Sequence, residues 1–351
     1  MKVVVTGGAG FIGSNLVRLI LRERPQWEVV NLDLLTYAGN LENLTGVDEH
    51  PHYAFVHGDV ADRTCLEAVL EDADAVLHLA AESHVDRSIA SATDFIRTNV
   101  VGTETLLASV RRRGGLPVVL VSTDEVYGEL PWQDPRATGP RERFHPSTPL
   151  APRSPYAASK AAGDLIALAY QRTHGVDVRV TRCSNNYGPY QFPEKLIPLM
   201  VTNALEGKGL PIYGDGLHIR DWIHVDDHCR GVLAVLERGS AGRVYHFGGD
   251  AERTNLEVVE AIADRLGVGR DRLAFVPDRP GHDRRYAIDW SGSAEELGWA
   301  PVVPFEQGLR STVDWYVHHE TWWRRVRDGS YQDYYEALYG PGGRSTLSAQ
   351  P

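Results

Sequence analysis

Four short apolar runs punctuate the first half of the chain, at Lys2–Thr6, Trp27–Leu32, Ala75–Ala80 and Pro117–Ser122. Each is strand-length, and each is followed by a turn. Between them, Phe11–Arg24 and Ser91–Arg113 repeat apolar residues at helical spacing. Strand and helix in alternation predict a parallel, doubly wound sheet of Rossmann type. A helix over Pro155–His174 and a strand over Asp177–Arg182 extend the series. The rhythm then breaks. Asn185–Pro193 reads as a loop, and short strands near Pro211–Tyr213 and Arg243–Phe247 mix with helices near Val225–Glu237 and Asn255–Leu266. Thr254 with Glu257 forms a capping box for the last of these, and Gly267 ends it. The pattern predicts an α/β fold with a large domain over residues 1–182. A smaller mixed α/β lobe follows over 183–320, some of its segments returning to the large domain. A C-terminal helix and a Gly/Ser/Pro-rich tail are expected over 321–351.

Composition narrows the class. An apolar share of 42% and a charged share of 24% over 351 residues are those of a globular protein with a sizeable core. No run approaches the roughly 20 apolar residues of a membrane span, and strand one begins directly after Met1, so the expected compartment is the cytoplasm. Cys65, Cys183 and Cys229 are odd in number and lack C-x-x-C spacing, which argues against a disulfide framework or a zinc site; no metal is expected. The 36 basic and 47 acidic residues give a net charge of −11 without a basic cluster, so nucleic acid is not an expected partner. Four of the basic residues are Lys: Lys2, Lys160, Lys195 and Lys208. Lysine is a rare choice in this chain.

Gly7-Gly8-Ala9-Gly10-Phe11-Ile12-Gly13 closes the first strand and opens a helix. Glycines at 7, 10 and 13 allow a tight turn, close approach of a pyrophosphate to backbone, and tight helix–strand packing, with the helix N-terminus facing the anion. Asp33 ends the second strand 20 residues beyond Gly13, where an acid bonds ribose hydroxyls and repels a 2′-phosphate. That favours NAD over NADP. Asp59 suits either an adenine contact or a helix N-cap.

Tyr156 and Lys160 stand four apart on one helix face, the one Tyr–Lys pair at that spacing among 15 tyrosines. A nearby ammonium makes the phenol a usable base. Ser122-Thr123-Asp124-Glu125-Val126-Tyr127-Gly128 follows a strand at the sheet edge where ligands bind in such folds. Its two adjacent carboxyls can divide acid and base roles if their surroundings differ; the plainer reading is a helix start. Arg220 offers a planar fork for a diphosphate, or a surface ion pair.

Together these motifs resemble the extended short-chain dehydrogenase/reductase family. More narrowly, Leu79–Ser88, Thr123-Asp124-Glu125, Cys183–Pro189, Pro193–Pro198 and Ile219–Trp222 resemble dTDP-glucose 4,6-dehydratases, over about residues 1–320. The resemblance implies a homodimeric lyase with tightly bound NAD that forms a 4-keto-6-deoxy sugar nucleotide. Tyr156 would take the C4 hydroxyl proton, assisted by Thr123 and Lys160. Glu125 would remove the C5 proton and Asp124 would protonate the departing C6 hydroxyl. It further implies cofactor contacts from Phe11, Ile12, Leu34, Thr36, Val60, Leu79, Ala80, Ala81, Ser83, Thr98 and Asn186. Substrate contacts would come from Ser83, Asn185, Lys195, Leu196, Pro211, Tyr213, Arg220, Asn255, Asp283, Arg284 and Tyr286. UDP-sugar 4,6-dehydratases and sugar 4-epimerases share much of this set. A non-catalytic NAD-binding protein would not need Asp124, Glu125, Tyr156 and Lys160 together.

Overall fold

The computed structural model describes residues 1–329 except 137, 138 and 140. Its strands are β1 (Lys2–Thr6), β2 (Glu28–Asp33), β3 (Tyr53–His57), β4 (Ala75–His78), β5 (Val118–Thr123), β6 (Val178–Cys183), β7 (Asn185–Tyr187), β8 (Leu210–Tyr213), β9 (Ile219–His224), β10 (Val244–Phe247), β11 (Glu252–Thr254) and β12 (Leu273–Val276). The helices are α1 (Phe11–Glu23), α2 (Arg63–Leu70), α3 (Val85–Ala90), α4 (Thr93–Phe95), α5 (Thr103–Arg112), α6 (Pro155–His174), α7 (Leu196–Leu205), α8 (Val225–Arg238), α9 (Asn255–Leu266), α10 (Ser291–Leu297), α11 (Phe305–His318) and α12 (Glu320–Asp328).

Seven strands form one parallel sheet in the order β10-β6-β5-β4-β1-β2-β3. Alternation on the pleat divides the core. Val3 and Val5 of β1 face a layer with α1 and α8, whereas Val4 faces the layer of α2, α5 and α6. Both faces are covered, so the strands read as unbroken apolar runs instead of alternating. The chain order reverses between β1 and β4, and that reversal opens a crevice at the carboxyl ends of the strands. The smaller lobe contains the sheet β11-β9-β7 and the pair β12-β8. Its own apolar core draws on α7, α9, α11 and α12.

The chain's ends of elements follow local chemistry. Ser154 caps α6 with Pro155 in its first turn, and Gly175 ends it in the left-handed region. The Thr254–Glu257 capping box is formed in both directions and Gly267 closes α9.

Several expectations need correction. Asn185–Pro193 is not all loop: residues 185–187 form β7, which pairs in parallel with Trp222–His224 of β9. Short polar strands such as Asn185-Asn186-Tyr187 carry no period, and their partner lies far along the chain. The helix over 91–113 contains a π-helical stretch at Ile96–Gly102 between α4 and α5. Among the segments after residue 182, β10 pairs with β6 at the edge of the large sheet. Asp59 is not a helix N-cap; Asp62 caps α2, accepting from the backbone of Thr64 and Cys65. Most of the expected tail over 321–351, including everything from Gly340, lies outside the described residues. All three cysteines carry free thiols. Among the described residues no helix is long and apolar enough to cross a membrane.

Candidate active site

A cleft of about 290 Å³ runs along the carboxyl ends of β1, β2, β4, β5 and β6. Gly7 bends the chain out of β1 at φ 73°. A Cβ there would meet the Ala80 backbone nitrogen at 2.6 Å, and one at Gly13 would meet the Gly7 carbonyl at 2.1 Å. Glycine is therefore required on steric grounds at both positions. A Cβ on Gly10 would meet no atom closer than 3.4 Å. The turn thus leaves room beside the N-terminus of α1, as a bound pyrophosphate requires. Asp33 is buried in the cleft wall and accepts from the backbone of Ala9 and Leu35 at 2.9 and 2.8 Å. Burial raises its carboxyl, while those two N–H groups oppose the rise. Asp59 holds the next part of the wall, ion-paired with Arg97 at 2.6 Å.

Every residue expected to contact the cofactor lines this one cleft: Gly7, Gly10, Phe11, Ile12, Gly13, Asp33, Leu34, Thr36, Asp59, Val60, Leu79, Ala80, Ala81, Ser83, Thr98, Tyr156, Lys160 and Asn186. The residues therefore fit a dinucleotide laid across the strand-order reversal.

The inner end of the cleft carries the acid–base groups. Thr123 ends β5, and its hydroxyl caps the short 3-10 turn Asp124–Tyr127 by accepting from the Glu125 N–H at 3.3 Å. Asp124 is 1% exposed, and its Oδ2 has no hydrogen-bond partner among the described residues. Burial, with the neighbouring Glu125 and Asp221 charges, pushes its carboxyl well above the ordinary range. Glu125 is partly exposed to the cleft; burial raises it too, but Arg279, Lys195 and Arg220 pull it back. Both adjacent carboxyls are thus raised by burial, but cations oppose the rise at Glu125 more than at Asp124.

Tyr156 enters from the first turn of α6, its backbone N–H bonded to Ser88 Oγ at 3.1 Å and its ring edge-on to Phe95. Burial holds its phenol well above the usual range, reinforced by Glu125, Cys183 and Asp124, and a hydrogen bond with Thr123 works the other way. Lys160 lies 7% exposed beneath it and donates to the Val121 carbonyl at 2.8 Å. The expected direct lowering of the phenol by Lys160 is not among the main influences on Tyr156 in the protein alone. The ammonium is spent on the strand backbone.

Of the expected substrate contacts, Ser83, Thr123, Asp124, Glu125, Asn185 and Lys195 line the cleft; Lys195 donates to the Ser83 carbonyl at 2.8 Å. Leu196, Pro211, Tyr213, Arg220, Asn255, Asp283, Arg284 and Tyr286 belong to the smaller lobe outside that lining. Arg220, Asp283 and Tyr286 nonetheless form a cluster whose charges reach Glu125, with the Arg220 guanidinium 4.3 Å from the Tyr286 ring centroid. Arg284 instead pairs with Asp215 at 2.9 Å, and Tyr213 bonds Asp86 at 3.3 Å. Leu196 packs against the apolar core of the lobe.

The structure adds residues that sequence reasoning passed over. Glu194, beside Lys195, accepts from Tyr37 Oη at 3.1 Å across the cleft. His218 and His282 stack at 3.7 Å, next to Asp278. These three could geometrically hold a metal ion, their ligand atoms lying within 4.8 Å of one another. Burial, then Arg220 and Arg279, hold His282 down to about 3. Such a cationic setting suits an anion better than a metal. Asp278 and His282, four apart in sequence, were the available signal.

The family model described as GDP-mannose 4,6 dehydratase matches residues 4–312. A dTDP-glucose 4,6-dehydratase of Streptomyces niveus is 49% identical, over 97% of this chain and 99% of its own. One from Neisseria meningitidis is 50% identical, over 94% and 97%. The chain belongs to the dTDP-glucose 4,6-dehydratase family. A crystal structure of the dTDP-glucose 4,6-dehydratase from Streptomyces venezuelae, solved with NAD bound, superposes with a TM-score of 0.89 at 52% identity, covering 93% of this chain and all of that one (100%). A UDP-glucose 4-epimerase of Thermus thermophilus, also solved with NAD, reaches 0.81 at 30% identity, over 91% and 100%. Dehydratase and epimerase therefore share the fold, so the site residues must carry the distinction.

Proposed function

We propose that the protein is a dTDP-glucose 4,6-dehydratase, a hydro-lyase that converts dTDP-glucose to dTDP-4-keto-6-deoxyglucose with NAD as a resident cofactor. The observation that carries this reading is the buried Asp124 beside the cleft-facing Glu125, next to Tyr156. An epimerase that removes and returns one hydride has no use for a second acid–base pair. Identity near 50% over almost the whole length of relatives named for this reaction supports the same substrate.

When bound, NAD accepts the C4 hydride and later delivers it to C6. The remaining work falls to side chains. Tyr156 takes the proton of the C4 hydroxyl, with Thr123 bonded to the phenol. The 4-keto group acidifies C5–H, and Glu125 removes that proton. Asp124, protonated by its surroundings, gives its proton to the departing C6 hydroxyl, so that water leaves; C5 is reprotonated as C6 is reduced. Lys160 orients the cofactor ribose. Arg220 and Arg279, whose charges reach Glu125, suit the diphosphate. We assign residues 1–182 mainly to cofactor binding and 183–320 mainly to the sugar nucleotide. Three free thiols accord with a reducing, cytoplasmic setting.

Purified protein given dTDP-glucose should form a product whose absorbance appears in base, with no NAD added or consumed. Appearance of the 4-epimer alone, or much faster turnover of UDP-glucose, would reject the assignment.

A homodimer belongs to the same reading. Ile89, Ile96, Val101 and Leu165 are 42%, 52%, 46% and 58% exposed on the helical layer from α3 to α6. A second copy of the chain packed there would cover these apolar side chains. Leu165→Arg should shift the protein to monomer in light scattering; an unchanged dimer would place the interface elsewhere.

A further inference from the structure

Three charged side chains lie buried together under the catalytic end of β5. Lys160, Asp164 and Arg182 are 7%, 0% and 3% exposed. Lys160 and Asp164 are one turn apart on the inward face of α6, and Arg182 sits opposite Ser122 in the β5–β6 register, one residue before Cys183. Arg182 Nε donates to Asp164 Oδ2 at 2.8 Å, and its Nη1 donates to Tyr127 Oη at 2.5 Å. Tyr127 Oη in turn meets His246 Nε2 at 2.7 Å. Arg182 thus pairs directly with the Asp164 carboxylate, and the buried Lys160 ammonium, one helical turn away and bonded to Val121, feels the same charge.

We propose that Asp164 is a positioning residue for the dehydratase reaction, the counter-charge that keeps Lys160 an ammonium beneath Tyr156 and the cofactor. This rests on the function proposed above.

A compact ammonium gives up its proton when buried without a partner, whereas a guanidinium does not. Loss of the shared carboxylate must therefore fall on Lys160. Charged and titratable groups act on that ammonium from each element around it. From α6 comes Asp164, itself paired with Arg182 of β6, and from β6 comes Cys183. From β5 the Val121 carbonyl accepts its hydrogen bond. From β4 comes His78, which bonds Thr6 and Thr103 and is held near 3 by burial, so it carries no charge. Burial pulls Lys160 down and Asp164 opposes it; Asp164 is the one carboxylate among its neighbours. A neutral Lys160 would keep at most part of its hold on Val121 and on the ribose, and would offer no charge to a forming phenolate.

The test compares pH profiles of turnover on dTDP-glucose for holoenzyme variants whose fold is checked by thermal midpoint and retained NAD. Asp164→Asn should move the alkaline limb down by about one pH unit or more and cut neutral-pH turnover about tenfold, with recovery toward lower pH. Arg182→Gln removes the competing cation and leaves Asp164 to Lys160, so its limb should move up. A purely structural role would scale both rates without moving either limb, or move both the same way, and would overturn the proposal. If Asp164→Asn does not fold, Arg182→Gln decides: a limb moved up supports the role, and a limb unmoved or displaced downward refutes it. Wild-type turnover run alongside separates this from failure of the functional reading, which would leave wild type inactive on dTDP-glucose.

Discussion

Glu125→Gln is expected to leave C4 oxidation running and to stop the reaction at the next step. The amide is nearly isosteric with the carboxylate, so the 3-10 turn Asp124–Tyr127 and its Thr123 cap should persist. It cannot accept the C5 proton. Removing a positioned general base costs about a hundred- to ten-thousand-fold, so product formation should fall by that amount. Exchange of the C5 proton with deuterated solvent should disappear, while reduced cofactor becomes visible by its absorbance on mixing with substrate. Full turnover by the variant would remove Glu125 from the role of base. Asp124→Asn gives a useful contrast, because the same buried position would still hold N–H groups but could not release a proton to the leaving hydroxyl. Its defect should lie after C5 deprotonation, with exchange retained.

Tyr156→Phe should fail one step earlier. With no phenol to receive the C4 hydroxyl proton, neither reduced cofactor nor C5 exchange should be seen above about a thousandth of the wild-type rate. The pH dependence has a definite sign. Burial and the charges of Glu125, Cys183 and Asp124 hold the Tyr156 proton tightly, so the basic form becomes more available as pH rises. Wild-type C4 oxidation, followed in a single turnover, should therefore speed up with rising pH until the Lys160 limb is reached. The residual rate of the Phe variant should lack that rise. A rise preserved in Tyr156→Phe would assign it to another group. Glu125→Gln and Tyr156→Phe should both keep NAD on purification, because Gly10, Asp33 and Lys160 are unchanged and the Phe variant loses only a hydroxyl from the cofactor wall.

The contrast between Asp124 and Glu125 also explains why a carboxyl pair is informative here and not elsewhere. Asp226-Asp227 has the same adjacency, yet Asp226 is exposed and Asp227 accepts from the backbone of Val302 and Val303 at 3.0 and 2.9 Å. It ties chain segments together. Among the described residues, the adjacent carboxyls Asp124 and Glu125 at the end of β5 line the cleft, with cations from the other lobe acting on them.

Much of this protein could be read directly from the order of its residues. The large-sheet strands β1, β2, β4, β5 and β6 were legible because strands buried on both faces need continuous apolar runs, and α1 and α6 because their capping and spacing are local. The glycine turn, Asp33, Tyr156 with Lys160, and Thr123-Asp124-Glu125 could be found because each chemistry needs its groups close together in sequence. Tertiary structure alone decided three things. It brought β10 back to the large sheet and paired β7 with β9, since strand pairing depends on partners that no local pattern names. It gave Asp124 and Glu125 their different surroundings, since burial and the charges of Arg220, Arg279 and Lys195 arriving from the other lobe act on them unequally. It placed Asp164 and Arg182 beneath Lys160, a buried charge set that sequence reasoning passed over because a carboxylate's neighbours across a sheet are fixed only by folding.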